Sequence, residues 1–140
     1  MSSKKRTGGR QALRLLIVED ERETANALAS LLRADGYEVR IASDGASALS
    51  QAEAEPADVV LLDIGLPGKD GYEVARQLRE RTPDGGAGQK LRPVIIAITG
   101  HSADAERLRS YDVGMDLHLV KPVDPDELKR ILERLQGVRN

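Results

Sequence analysis

A chain of 140 residues can bury one sizeable core but not two, and its 40% apolar and 31% charged content is that of an ordinary soluble globular domain. With no Phe, Trp or Cys the core must be aliphatic, and disulfides and thiolate metal sites are excluded; this fits a reducing compartment. No apolar run approaches the about 20 residues a membrane span needs and the N-terminus has no apolar signal segment, so the chain reads as cytoplasmic, with no membrane partner.

Residues 1–14 carry Lys4, Lys5, Arg6, Arg10 and Arg14 with no acid, so the remainder of a chain of net charge −2 carries −7. Residues 1–11 read as a disordered basic tail, followed by one domain over residues 12–138. An acidic body with 2% aromatics has neither the basic face nor the stacking platform of a nucleic-acid binder, so no direct nucleic-acid partner is expected. The first strand is predicted at 13–18. A helix follows, with Ala25, Leu28, Ala29 and Leu32 on one face and Gly36 as its terminator. Tyr37, Val39 and Ile41 alternate with Glu38 and Arg40, the pattern of a half-buried edge strand. A second helix starts near Asp44 and buries Ala48, Leu49 and Ala52.

Residues 59–62 and 94–98 are short continuous apolar runs, as in central parallel strands buried on both faces. Between them a helix is predicted over about 70–81, then a loop at 83–88. The three glycines of that loop follow a helix and precede a strand, the reverse of a phosphate-cradling context, so it reads as filler. A fourth helix is predicted at about 103–111 and a last strand at 117–120. Asp124, Pro125 and Glu127 then supply the N-cap, first position and N3 acid of a final helix. That helix buries Leu128, Ile131, Leu132 and Leu135 and is expected to close at Gly137. Five βα units of this length predict a doubly wound α/β fold with a parallel sheet and five helices.

Four of these strands end on polar side chains of different chemistry: Glu19 and Asp20, Asp63, Thr99, and Lys121. Parallel strands share one carboxyl edge, where open α/β sheets place their ligands. Each residue alone has a bland explanation as a cap, a turn residue or a snorkelling lysine. The conjunction points to a divalent-cation and phosphoryl site. Three clustered carboxylates repel unless a cation sits among them, and an all-oxygen set suits a hard ion such as Mg²⁺. No His/Cys set for zinc exists, and His101 and His118 are by default surface residues.

At the level of motifs the chain resembles the receiver domain of two-component response regulators. The matching stretches are Ile17-Val18-Glu19-Asp20-Glu21, the run from Leu62 to Gly71, Ile98-Thr99-Gly100 and Leu119-Val120-Lys121-Pro122, and the resemblance covers about residues 13–136. It implies a flavodoxin-like sheet of order 2-1-3-4-5, in agreement with the edge character of the second strand. It further implies that Asp63 is the phosphoacceptor, taking a phosphoryl group from a histidine kinase or phosphotransfer protein. By the same resemblance Asp20, Asp63 and the backbone carbonyl of Gly65 ligate Mg²⁺ or Mn²⁺, with Glu19 ligating through water. Thr99 and Lys121 match the groups that hold the acyl phosphate oxygens, and the Lys121–Pro122 peptide matches one that is cis in the family, aiming the lysine inward.

Three positions depart from the family pattern. His118 stands where a switch Phe or Tyr is usual, Gly65 offers no side chain to shape water access, and His101 follows Thr99 at a second position that influences hydrolysis. The resulting expectation is a phosphoacceptor that assists its own phosphorylation and dephosphorylation without being an enzyme. It would signal to a downstream protein through its fourth helix, fifth strand and fifth helix, with Thr99 and His118 as switch residues. The chain ends soon after the last predicted helix, so it reads as a stand-alone regulator or the receiver of a hybrid kinase. The rival readings are an aspartyl-phosphate hydrolase, which would want an acid where Gly65 stands, and a non-phosphorylated receiver used as a binding module.

Overall fold

The computed structural model describes residues 12–65, 71–81, 93–100 and 115–139. Five parallel strands, β1 (Arg14–Val18), β2 (Glu38–Ala42), β3 (Val59–Asp63), β4 (Val94–Thr99) and β5 (Leu117–Val120), pair in the order β2-β1-β3-β4-β5. This is the expected flavodoxin-like order, with the half-buried strands β2 and β5 at the edges. Four helices are present among the described residues: α1 (Arg22–Ala34), α2 (Gly45–Ala54), α3 (Gly71–Arg81) and α4 (Pro125–Arg139). The tail at 1–11, the loop at 83–88, the helix expected at about 103–111 and His101 lie outside the described residues.

The strand period of two sorts the apolar residues into two layers. Leu15, Ile17, Leu61, Ile96 and Leu119 face one side and pack with Ala25, Ala29 and Leu32 of α1 and Leu128 and Leu132 of α4. Leu16, Val18, Leu62 and Ala97 face the other side, against Ala48 and Leu49 of α2 and Val74 and Leu78 of α3. The buried face of α1 is largely alanine, which brings the helix close to the sheet.

Cap chemistry fixes where the helices begin. The Asp44 carboxylate accepts the Ser47 N–H at 2.8 Å, and that of Asp124 accepts the Asp126 N–H at 2.9 Å. Gly36 ends the α1 segment with a φ of 97°, a left-handed conformation that costs a side-chain-bearing residue energy. Gly137 does not close the last helix. α4 runs through it to Arg139, and among the described residues Gly36 is the glycine with positive φ. Glycine permits a left-handed stop without imposing one, so at position 137 the helical conformation simply continues.

Candidate functional site

Strand alternation decides which side chains meet at the carboxyl edge. Glu19 continues the parity of Leu15 and Ile17, Asp63 that of Val59 and Leu61, and Lys121 that of Leu117 and Leu119, so all three belong to the layer shared with α1 and α4. Thr99 continues the parity of Ile95 and Ala97, on the opposite side. The ladders extend one residue past the strands to hold these ends: Glu19 N–H donates to Ala42 O at 3.0 Å, Ile64 N–H to Ile98 O at 2.9 Å, and Lys121 N–H to Thr99 O at 2.7 Å.

The geometry brings Glu19, Asp20, Asp63, Gly65 and Lys121 together, while Thr99 ends β4 with the parity of the other layer. The Lys121 ammonium lies 3.0 Å from Asp63 Oδ2 and 3.7 Å from Glu19 Oε1. Carboxylate oxygens of Glu19, Asp20 and Asp63 all lie within 4.8 Å of one another. Glu19, Asp63 and Thr99 are buried, whereas Asp20 is exposed at the rim. Gly65 is exposed in the turn after β3, and its N–H donates to Asp63 Oδ1 at 2.9 Å. Both oxygens of Asp63 are thus held, one by an ammonium and one by a backbone amide. The Lys121–Pro122 peptide is cis.

The electrostatics follow from burial. Burial pushes the Glu19 carboxyl above its ordinary range; the Glu21 N–H at 3.1 Å works against this, Asp63 adds to it, and Lys121 offsets part of it. For Lys121 burial pulls the ammonium pKa down, but the hydrogen bond to Asp63 and the negative charges of Asp63, Glu19 and Asp20 outweigh it, so the net shift is upward. Among the described residues three carboxylates near one ammonium leave an excess of negative charge, and their hard oxygen donors suit a cation such as Mg²⁺ or Mn²⁺.

A cleft of about 790 Å³ opens beside these groups, between α1 and the start of α4. Ile17, Leu61 and Ile98 line it, Leu28 and Val123 flank it, and it reaches Glu19, Asp63 and Lys121. His118 is half-buried on β5 opposite Ala97, with its Nε2 enclosed, which corrects the default reading of a surface histidine. An edge strand still has two faces, and the side that carries His118 is enough covered to shield part of the ring.

Two residues escaped the sequence reasoning. Glu21 is the N-cap of α1, its carboxylate accepting the Thr24 N–H at 3.1 Å while its own N–H goes to Glu19. Its place just ahead of the apolar periodicity was the available signal. The other is Gly71, where a Cβ would come within 2.8 Å of the Ile64 backbone and 3.1 Å of the Asp63 carbonyl oxygen.

The family model for the response regulator receiver domain matches residues 15–133. The chain belongs to the response regulator receiver domain family. It is 40% identical over 114 residues to the sensory transduction protein RegX3 of Mycolicibacterium smegmatis, covering 81% of this chain and 46% of that protein. It is 36% identical over 125 residues to the alkaline phosphatase synthesis transcriptional regulatory protein PhoP of Bacillus subtilis, covering 86% and 49%. The chain therefore spans about half the length of the curated relatives it matches. Among solved structures it is similar to the receiver domain of the sensor histidine kinase PA1611 from Pseudomonas aeruginosa, a structure with a magnesium ion coordinated in the active-site cleft. That match has a TM-score of 0.76 and 34% identity and covers 90% of this chain and 98% of that one. This receiver domain is a two-component response-regulator module. No helix among its described residues is long and apolar enough to cross a membrane.

Proposed function

We propose that this receiver domain, over residues 12–138, is a Mg²⁺-dependent phosphoacceptor switch whose acceptor is Asp63. The observation that carries the reading is the grip on the Asp63 carboxylate: Lys121 Nζ at 3.0 Å on one oxygen and Gly65 N–H at 2.9 Å on the other, with Glu19 and Asp20 alongside. In the transfer an Asp63 oxygen attacks the phosphorus of a phosphohistidine on a histidine kinase or phosphotransfer protein. The P–N bond breaks, its electron pair stays on the imidazole nitrogen, and an acyl phosphate remains on Asp63. The reaction needs alignment and charge compensation more than covalent help, and a fixed carboxylate beside an ammonium supplies both.

Asp20, Asp63 and the Gly65 carbonyl would hold Mg²⁺ or Mn²⁺, with Glu19 reaching it through water. When bound, the cation neutralises charge on the acids and on the phosphoryl oxygens. Thr99, buried at the end of β4, and Lys121 would take phosphoryl oxygens once the acyl phosphate forms. The domain assists this transfer and the later hydrolysis without turning over a free substrate. Its output to a downstream protein would run through the helix expected at about 103–111, β5 and α4, with Thr99 and His118 as the moving residues. No direct nucleic-acid contact is part of this reading, and the cytoplasm is the expected location.

Incubation with acetyl phosphate and Mg²⁺ tests the proposal by intact-protein mass. One phosphoryl group should add, and both Asp63→Asn and removal of the metal with a chelator should abolish it. Full labelling of the Asp63→Asn chain at another residue would overturn the assignment.

A further inference from the structure

We propose that Gly71 is a positioning residue for Asp63, because its bare α-carbon lets the first turn of α3 rest directly on the peptide that grips the carboxylate. The inference rests on the reading of Asp63 as phosphoacceptor. A Cβ at position 71 would stand 2.8 Å from the Cα of Ile64, 2.8 Å from the Ile64 carbonyl oxygen and 3.1 Å from the Asp63 carbonyl oxygen. All three are backbone atoms, so no rotamer change relieves the overlap. Either α3 lifts or the corner after β3 turns.

The corner has little freedom to turn without consequence. The Ile64 carbonyl and the Gly65 N–H belong to one planar peptide unit, so pushing the oxygen rotates the N–H with it. That N–H is the donor held 2.9 Å from Asp63 Oδ1. On its other side Ile64 is tied to β4 by its own N–H, which donates to Ile98 O. A methyl group at position 71 therefore reaches Asp63 through a single rigid peptide. The Gly65 carbonyl, the expected backbone ligand of the cation, lies one peptide further along the same corner.

Gly36, Gly65 and Gly137 separate this role from backbone freedom. Gly36 has the positive φ and an open surround, and Gly137 has nothing within 4 Å of a built Cβ. At Gly65 a built Cβ would meet only Asp63 Oδ1 at 3.6 Å, an ordinary contact. Gly71 opens a helix, and what it supplies is the missing methyl.

The test compares the full chain with its Gly71→Ala and Gly137→Ala variants, reading Mg²⁺ affinity by calorimetric titration and the Gly65 amide by NMR hydrogen exchange. Gly71→Ala should weaken Mg²⁺ binding about tenfold, as loss of an outer support typically does, and should speed exchange of the Gly65 amide. Gly137→Ala should change neither. A folded Gly71→Ala chain that binds Mg²⁺ as tightly as the parent with an unchanged Gly65 amide overturns the proposal, even if it melts earlier. Should the variant be too unstable, the readings are taken in trimethylamine N-oxide, which strengthens folded states. A chain that stays unfolded there overturns the proposal in favour of a purely structural glycine. If the parent chain itself fails to bind Mg²⁺, the metal-site reading falls, and the Gly65 amide still judges the corner.

Discussion

At the amino-terminal ends of the strands, Arg14 meets Asp58 at 3.5 Å and Arg79 pairs with Asp116, one guanidinium to each acid. Those acids also cap neighbouring strands, since Asp58 Oδ2 accepts the Arg14 N–H and Asp116 Oδ2 the Ile95 N–H, each at 2.8 Å. At the carboxyl-terminal ends, Glu19 and Asp63 share the ammonium of Lys121, and Asp20 lies beside them with a carboxylate oxygen within 4.8 Å of theirs. The first arrangement satisfies backbone groups and balances its charge, so it belongs to the frame. Among the described residues the second leaves an excess of negative charge in a partly buried place, a state that stability alone would not favour. The contrast separates acids that hold the fold from acids held for a ligand.

The largest expected effect comes from removing one carboxylate at each end. Asp63→Asn should lose labelling by acetyl phosphate entirely, whereas Asp58→Asn should keep it and lose about 1 kcal/mol of stability, the scale of a typical net hydrogen bond. Intact mass and urea unfolding read the two effects separately. Equal loss of labelling in both variants would erase the distinction between the ends.

A metal titration sharpens the same contrast. Mg²⁺ at a hundred times its Kd should stabilise the folded domain by about 2.7 kcal/mol, visible as a rise in melting temperature. Asp58→Asn should show the same rise, and Asp20→Asn should need much more Mg²⁺ to reach it. A melting temperature that ignores Mg²⁺ in the unmodified chain would speak against any cation site at the carboxyl edge.

The pH dependence is smaller and its sign follows from Glu19. Burial raises this carboxyl above its ordinary value of 4.5, so the folded state binds its proton more tightly than the unfolded chain. The resulting stabilisation is complete below pH 4.5 and is lost as pH rises through the raised folded value. In metal-free buffer Glu19→Gln should remove that component from the profile of melting temperature against pH, and Asp58→Asn should not. Lys121 adds a second component with its pKa raised above 10.5, present below that pH and lost at stronger alkalinity.

The mildest perturbation is Gly65→Ala. A methyl there fits beside Asp63 Oδ1 at an ordinary contact distance, so stability should hold to about 0.5 kcal/mol. The added cover over Asp63 should lengthen the lifetime of the acyl phosphate, followed by loss of the phosphoryl mass over time. An unaltered lifetime would place control of water access on other residues.

What the sequence by itself determined are the features that depend on neighbours along the chain. The apolar runs and the alternation at Val39 and Ile41 gave five strands and marked β2 as an edge, because burial on one or two faces writes itself into a period of two. Asp44, Asp124 and Gly36 located helix ends, because capping is a hydrogen bond or a dihedral angle within a few residues. The site residues were also legible as strand-end side chains of complementary chemistry. Only the tertiary structure decided how they meet. Lys121 and Asp63 are separated by 58 positions, and their 3.0 Å contact depends on strand parity, on the one-residue extension of the β4–β5 ladder and on the placement of β3 between β1 and β4. The passage of α4 through Gly137 and the close seat of Gly71 on Ile64 were decided there too, because a glycine in a sequence reads the same whether it supplies a turn, a helical residue or the absence of a methyl group against a neighbouring backbone.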